Sequence, residues 1–202
     1  MEPFRRKDVY SPYDMAEVCG VDFEAVRDWF AHKRLPFFEI PGGHYRVTHA
    51  DFEKFLEGTK LPKPEGWEGE GTKYRVLVVE DDQDLLEIMG DFLVDELRLE
   101  VRKENNGFSA GLLISSWRPD LILLDFVMPG MNGFEICRKL RENPKTQDIP
   151  VLAVTSLKAF ENKKAILESG VSDYIQKPFH SEDFLRKVKT LLGFEVGSPT
   201  KS

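Results

Sequence analysis

Glu80 and Asp81 follow the apolar run Arg75-Val76-Leu77-Val78-Val79, Asp125 follows Leu121-Ile122-Leu123-Leu124, and Thr155 follows Val151-Leu152-Ala153-Val154. Lys177 follows a weaker run at 173–176. One such residue alone is ordinarily a solvated loop charge or a helix cap. Three carboxylates directed at one crevice are different, because they repel and raise one another's pKa unless a divalent cation lies among them. Magnesium suits that donor set, being a hard ion that takes one or two carboxylates, several waters and a phosphate oxygen. A lysine ammonium and a threonine hydroxyl opposite can then hold the remaining phosphoryl oxygens. Together these residue types support phosphoryl chemistry on an aspartate.

The apolar runs have the form of parallel strands buried on both faces. Amphipathic stretches at 85–94, 109–116, 134–141 and 160–168 lie between them. A closing helix is expected with Ser181 as N-cap, Glu182 and Asp183 in its first turn, and Phe184, Leu185, Val188, Leu191 and Leu192 on one face. Weaker strands at 99–103 and 173–176 bring the count to about five β/α units. The expected fold is α/β, a doubly wound five-stranded parallel sheet with its site at the carboxyl ends of the strands.

That sheet occupies only part of the chain. The 202 residues exceed one average domain of about 100–150 and suggest two. Residues 58–72 are rich in glycine, hold two prolines and show no periodicity, so they read as a flexible linker. The expected domains are 1–57 and 73–194, with a polar tail at 195–202. The first block carries 8 basic and 11 acidic side chains and the second 17 and 20, within a net charge of −7. Neither half is a basic module, so any nucleic-acid contact must be local. No apolar run reaches the roughly 20 residues of a membrane span, and no secretory signal follows Met1, so a cytoplasmic protein is expected. Cys19 and Cys137 show no CxxC or Cys/His spacing and read as two thiols rather than a disulfide or zinc site.

With these residues in hand, 73–193 resembles the receiver domain of two-component response regulators, a flavodoxin-like fold. The resemblance rests on Val78-Val79-Glu80-Asp81, Leu124-Asp125, Met128-Pro129-Gly130-Met131-Asn132-Gly133, Thr155, and the segment from Gly170 through Asp173-Tyr174-Ile175-Gln176-Lys177-Pro178-Phe179. Intervals of 44, 30 and 22 residues between Asp81, Asp125, Thr155 and Lys177 are similar to the family's. It implies Asp125 as phosphoacceptor, Asp81 and Asp125 as direct Mg2+ ligands, Glu80 acting through a water, and the Val127 carbonyl completing the protein's share. It implies that Lys177 pairs with the phosphoryl group, that Thr155 and Tyr174 are the switch residues, and that the bond before Pro178 is cis. Ser156 departs from the family's smaller residue, which implies somewhat restricted access. Apolar Val127 and Leu157, two residues after Asp125 and Thr155, cannot orient an attacking water, so slow self-dephosphorylation is expected. A haloacid-dehalogenase-type phosphatase would need an acid where Val127 stands, and no enzyme activity is expected beyond the domain's own phosphoryl transfer and hydrolysis.

The first block reads differently. Ser11-Pro12-Tyr13-Asp14 is a capping-box-like helix start, Cys19-Gly20-Val21 a turn, and Asp22 a cap for a helix carrying Val26, Trp29 and Phe30. A hairpin around Pro41-Gly42-Gly43 and a last helix capped at Thr48-His49-Ala50-Asp51 follow. Met15, Val18, Val26, Trp29, Phe52 and Phe55 are expected to form the core. Residues 10–57 resemble the winged helix-turn-helix of MerR-like and excisionase-like DNA-binding domains, which implies DNA contacts from Arg27, Lys33 and Arg34 on the helix side and His44 and Arg46 on the wing. Arg5, Arg6 and Lys7 would add phosphate contacts, while Glu24 and Asp28 oppose them. The expected whole is a regulator fed by a histidine kinase or phosphotransfer protein, controlling DNA binding and transcription, with phosphorylation pairing two copies. The alternative is an adaptor whose helix-turn-helix docks a protein.

Overall fold

The computed structural model describes residues 4–59, 61, 63–68, 70–97, 99–129, 131–156 and 159–194. The chain divides into two compact units, the first ending at Thr72 and the second beginning at Lys73. The expectations for Leu157 and for the tail at 195–202 lie outside the described residues.

The first unit opens with β1 (Val9–Tyr10) and α1 (Pro12–Cys19). Ser11 accepts from the Asp14 amide at 3.2 Å while Asp14 accepts from the Ser11 amide at 2.8 Å, a reciprocal capping box. Gly20, at φ +65°, ends the helix in a left-handed conformation that a glycine adopts without strain. Asp22 caps α2 (Phe23–Ala31) by accepting from the Ala25 amide at 2.7 Å. β2 (Phe38–Ile40) and β3 (His44–Thr48) form the antiparallel hairpin, and β1 pairs with the other edge of β3. The Thr48 hydroxyl accepts from the Asp51 amide at 3.2 Å and opens α3 (His49–Thr59). Met15, Val26, Phe52 and Phe55 are buried in the core as expected, with Val18 and Trp29 packed at its margin.

The linker expectation is corrected. α3 runs on to Thr59, and beyond it Trp67 and Thr72 are tied to the first unit. Trp67 is 2% exposed, stacked on Phe4, Tyr10 and His49 with ring centroids 5.4, 5.9 and 4.6 Å away. Its indole N–H donates to Glu53 at 3.1 Å, and both the amide and the hydroxyl of Thr72 donate to the Arg6 carbonyl, at 2.7 and 3.0 Å. The stretch reads as nonperiodic in sequence, yet Trp67 belongs to the buried core of the first unit.

The second unit runs β4 (Arg75–Val79), α4 (Gln83–Leu97), β5 (Glu100–Glu104), α5 (Gly107–Trp117) and β6 (Leu121–Asp125). A small antiparallel pair, β7 (Val127–Met128) and β8 (Met131–Asn132), precedes α6 (Gly133–Glu142). Then come β9 (Val151–Thr155), α7 (Ala159–Glu168), β10 (Asp173–Gln176) and α8 (Ser181–Leu192). The five long strands are parallel in the order β10-β9-β6-β4-β5. Alternate residues of β4 feed opposite faces: Val76 and Val78 pack with α4 and α8, Leu77 and Val79 with α5 and α6. The sheet is therefore doubly wound, and the strand order reverses between β4 and β6, where such folds open a crevice.

Two local expectations shift. Asp125 and Thr155 are the last residues of their strands rather than the first beyond them. Ser181 is the first helical residue of α8, and His180 occupies the N-cap without a side-chain bond. Cys137 is buried, Cys19 half-buried, and both are free thiols. Among the described residues no helix is long and apolar enough to cross a membrane.

Candidate functional site

The strand-end residues meet at the carboxyl edge of the second unit. Glu80, directly after β4, is 1% exposed and Asp125, ending β6, is 3% exposed. The Lys177 ammonium reaches both, donating to Glu80 Oε2 at 2.6 Å and to Asp125 Oδ2 at 2.7 Å. Asp81 is exposed, yet a carboxylate oxygen of Glu80, Asp81 and Asp125 can be chosen such that all three lie within 4.8 Å of one another. The Lys177–Pro178 bond is cis, and the Lys177 amide donates to the Thr155 carbonyl at 2.9 Å. β10 thereby hands the lysine to the crevice from one side while β4 and β6 supply the acids from the other.

Electrostatics follow from burial. Burial pushes the Glu80 carboxyl up to about 7; the Lys177 hydrogen bond opposes this, and the Asp125 charge adds to it. Burial works against the Lys177 ammonium, but its bonds to Asp125 and Glu80 outweigh that and raise its pKa. Three carboxylates against one ammonium leave an excess of negative charge in a partly closed pocket. Hard oxygen donors, close together and negative, fit a hard divalent cation.

The backbone around Asp125 is held in place. The Val127 amide donates to Asp125 Oδ1 at 2.8 Å, and the Val127 side chain is 46% exposed at the rim. A Cβ on Gly133 would lie 2.7 Å from Phe126 Cδ1 and 2.8 Å from Phe126 Cα, so only glycine lets α6 press against the residue after Asp125. Asp82, not singled out from the sequence, caps α4 by accepting from the Leu85 amide at 3.1 Å, and its own amide approaches Glu80 Oε1 at 3.4 Å. Its signal was available as a third acid in a helix-start position.

Thr155 is fully buried, and Tyr174 is half-buried on the neighbouring strand, opposite Ala153. Ala153 and Thr155 are two residues apart, so Tyr174 shares their face of the sheet. The Lys187 ammonium lies 5.9 Å from the Tyr174 ring centroid and pairs with Asp173. Ser156 is exposed at the rim.

The residues expected to face DNA all lie in the first unit and do not form one exposed set. Arg27, Lys33 and Arg34 are exposed, with Arg27 paired to Glu24 at 3.2 Å. His44 and Arg46 are 8% and 5% exposed, so their expected wing contacts are corrected. They alternate on β3 with Tyr45, and it is Tyr45 that faces outward; the Arg46 guanidinium donates to the Tyr45 carbonyl at 2.8 Å. Lys7 is likewise 4% exposed and bound to Asp14 at 2.8 Å.

Fold and site together define a flavodoxin-like domain with an acidic pocket at its switch point. Residues 76–189 match the response regulator receiver domain. The chain belongs to the response regulator receiver family. It is 35% identical over 118 residues to the DNA-binding dual master transcriptional regulator RpaA of Synechocystis, covering 58% of this chain and 48% of RpaA. It is 37% identical over 122 residues to the response regulator PleD of Caulobacter vibrioides, covering 60% of this chain and 27% of PleD. The chain thus matches about half or less of the length of these curated relatives. Among solved structures, the signal receiver domain of a DNA binding response regulator protein (merR) from Colwellia psychrerythraea superposes with a TM-score of 0.57 at 29% identity, covering 60% of this chain and 99% of that one. The non-phosphorylated HemR receiver domain of Leptospira biflexa gives 0.55 at 28% identity, covering 64% and 100%.

Proposed function

We propose that this chain is a cytoplasmic, phosphorylation-controlled regulator in which Asp125 accepts a phosphoryl group from a histidine kinase or phosphotransfer protein. The observation that carries the reading is the Lys177 ammonium bonded to both Glu80 and Asp125, with Asp81 beside them. In the transfer, an Asp125 carboxylate oxygen attacks phosphorus, the bond from phosphorus to the donor imidazole nitrogen breaks, and the nitrogen leaves with the electron pair. Lys177 turns from the carboxylates to the incoming phosphoryl oxygens. Asp81, Asp125, Glu80 through a water and the Val127 carbonyl would hold Mg2+, which supplies positive charge to those oxygens. Thr155 then moves its hydroxyl to the phosphoryl group, and Tyr174, on the same face, repacks into the space released. An apolar groove of about 620 Å³ between α4 and α8, lined by Leu85, Ile88, Phe92, Pro178 and Phe179, opens beside Lys177 and suits the donor's docking helix.

In this reading the first unit, in which α1 and α2 precede the β2–β3 hairpin and α3, works as a winged helix-turn-helix, and phosphorylation promotes its DNA binding by pairing two copies. The names of the curated relative RpaA and of the Colwellia protein support that direction. A second reading, docking of a protein, is favoured by one observation: with His44 and Arg46 buried, the hairpin presents Phe37 and Tyr45, each nearly two-fifths exposed with ring centroids 4.6 Å apart. The test is to incubate the full chain with Mg2+ and a small-molecule phosphodonor, then measure binding to duplex DNA at low salt. A base-labile acyl phosphate, lost in Asp125→Asn, together with phosphorylation-enhanced DNA binding is expected. Phosphorylation without DNA binding would leave the protein-docking reading in its place.

A further inference from the structure

The outer face of α5 is built unlike those of α6 and α8. The latter two carry charges, paired as Glu135–Lys139 and Asp183–Arg186, each at 3.0 Å. Residues 105–117 carry no charge, in a chain that is 31% charged. Phe108 is 79% exposed, and Leu112, one turn on, is 59% exposed. Beside them on the same face lie Gly111 and Ser115, also exposed. The hydroxyls of Ser115 and Ser116 donate to the Gly111 and Leu112 carbonyls at 3.1 and 2.8 Å, so they are turned onto their own helix rather than outward. Glycine is a poor residue for the middle of a helix, and packing within the chain does not call for Gly111: a Cβ there would meet nothing within 4 Å.

Large apolar side chains that stand exposed together mark an interaction surface, and the chemistry of this one selects its partner. Without charges or outward hydroxyls it bonds poorly to a polar or ionic surface and fits one as apolar as itself. It is also where two copies, each of net charge −7, can meet without setting like charges face to face. The ridge Phe108–Leu112 runs alongside the lower row Gly111–Ser115. About a two-fold axis, each copy's ridge can enter the other's row, as i, i+4 ridges do in packed helix pairs. α5 packs on β4 and β5, whereas Tyr174 stands on β10 at the other edge of the sheet, so the contact is separate from the face that phosphorylation would repack.

We infer that α5 is a self-association surface: two copies of this chain pair with Phe108 and Leu112 of each against Gly111 and Ser115 of the other, whether or not Asp125 is phosphorylated. One short helix pair buries less than the roughly 1,200 Å² of a stable interface, so the dimer is weak and reversible. Sedimentation velocity of the full chain from about 5 to 500 μM, without Mg2+ or phosphodonor, spans such affinities and tests it. Monomer giving way to dimer, and to nothing larger, is the expected result, and Asp125→Asn should pair as the wild type does. Phe108→Glu and Leu112→Glu should each weaken pairing at least about tenfold, by placing like charges opposite one another. Thermal unfolding of both should be unchanged, since both side chains are exposed. Val94→Glu adds the same charge at an exposed site on α4 and should leave pairing intact. Gly111→Leu enlarges the apolar surface but fills the row, and it should weaken pairing too. Stronger association in Gly111→Leu, equal loss in Val94→Glu, or open-ended growth would overturn the inference in favour of a merely adhesive patch. A wild type that stays monomeric throughout would overturn it outright, leaving the face to a different protein. Pairing only with Mg2+ and beryllofluoride would also overturn it while supporting the phosphorylation reading, which stands or falls separately.

Discussion

At the residue scale, the pocket's chemistry is a matter of which charges share a low-dielectric space. Asp125→Asn preserves shape and removes the proposed nucleophile, so intact-mass measurement should show no acyl phosphate on that variant. Lys177→Ala leaves Glu80 and Asp125 without the ammonium that bonds both, and phosphorylation by a small-molecule donor should slow by about a hundredfold, the usual cost of losing one charge-stabilising donor. Val127 stands exposed at the rim beside Asp125. Val127→Gln gives an attacking water a hydrogen-bond partner there, and the acyl phosphate should decay about tenfold faster, equivalent to about 1.4 kcal/mol of barrier. An unchanged decay rate would count against that role.

Elements respond to what backs each residue. A methyl group on Gly133 meets the backbone of Phe126, which cannot swing away, so Gly133→Ala should cost about 1–3 kcal/mol in urea unfolding. Gly90 offers a contrast. A Cβ there falls 2.0 Å from Lys103 Cε, but that is a flexible stem whose exposed bonds to Glu87 and Asp91 are worth little. Gly90→Ala regains about 1 kcal/mol of helix propensity in α4 and should be nearly neutral. In the first unit, burial lowers the His49 pKa below its ordinary 6.5, with Arg6 adding to this and Glu53, Glu68 and Asp8 opposing it. The unfolded chain therefore takes the proton first as pH falls, and the unit should lose stability below about pH 6.5. Thermal unfolding at about pH 7.5 and 5.5 checks this, and His49→Gln should flatten the difference.

For the whole molecule, the net charge of −7 leaves DNA binding to a few cations. If the first unit binds duplex DNA, Lys33→Ala should flatten the logarithmic salt slope by about 0.9, since each phosphate contact releases that share of counterions. Arg46→Ala should instead lower stability and leave the slope alone, because its guanidinium is buried. A slope that falls with Arg46 and ignores Lys33 would mean that the hairpin turns over on binding.

Much of this molecule was legible in residue order, for local physical reasons. Continuous apolar runs marked the central strands between amphipathic helices, Ser11, Asp22 and Thr48 marked helix starts through bonds that span three residues, and acids and a lysine at strand ends marked the crevice. The doubly wound sheet follows from that alternation, since parallel neighbours require a crossover. Tertiary structure decided what depends on partners distant in sequence. His44 and Arg46 carry the charge of wing contacts but fall on the inward side of β3, a choice made by the strand's register with β1 and β2. Trp67 sits in a stretch whose composition is that of a linker, yet Phe4, Tyr10, His49 and Phe52 build the site that binds it. Composition reports what a segment cannot do alone, whereas burial depends on the surface that the rest of the chain presents to it.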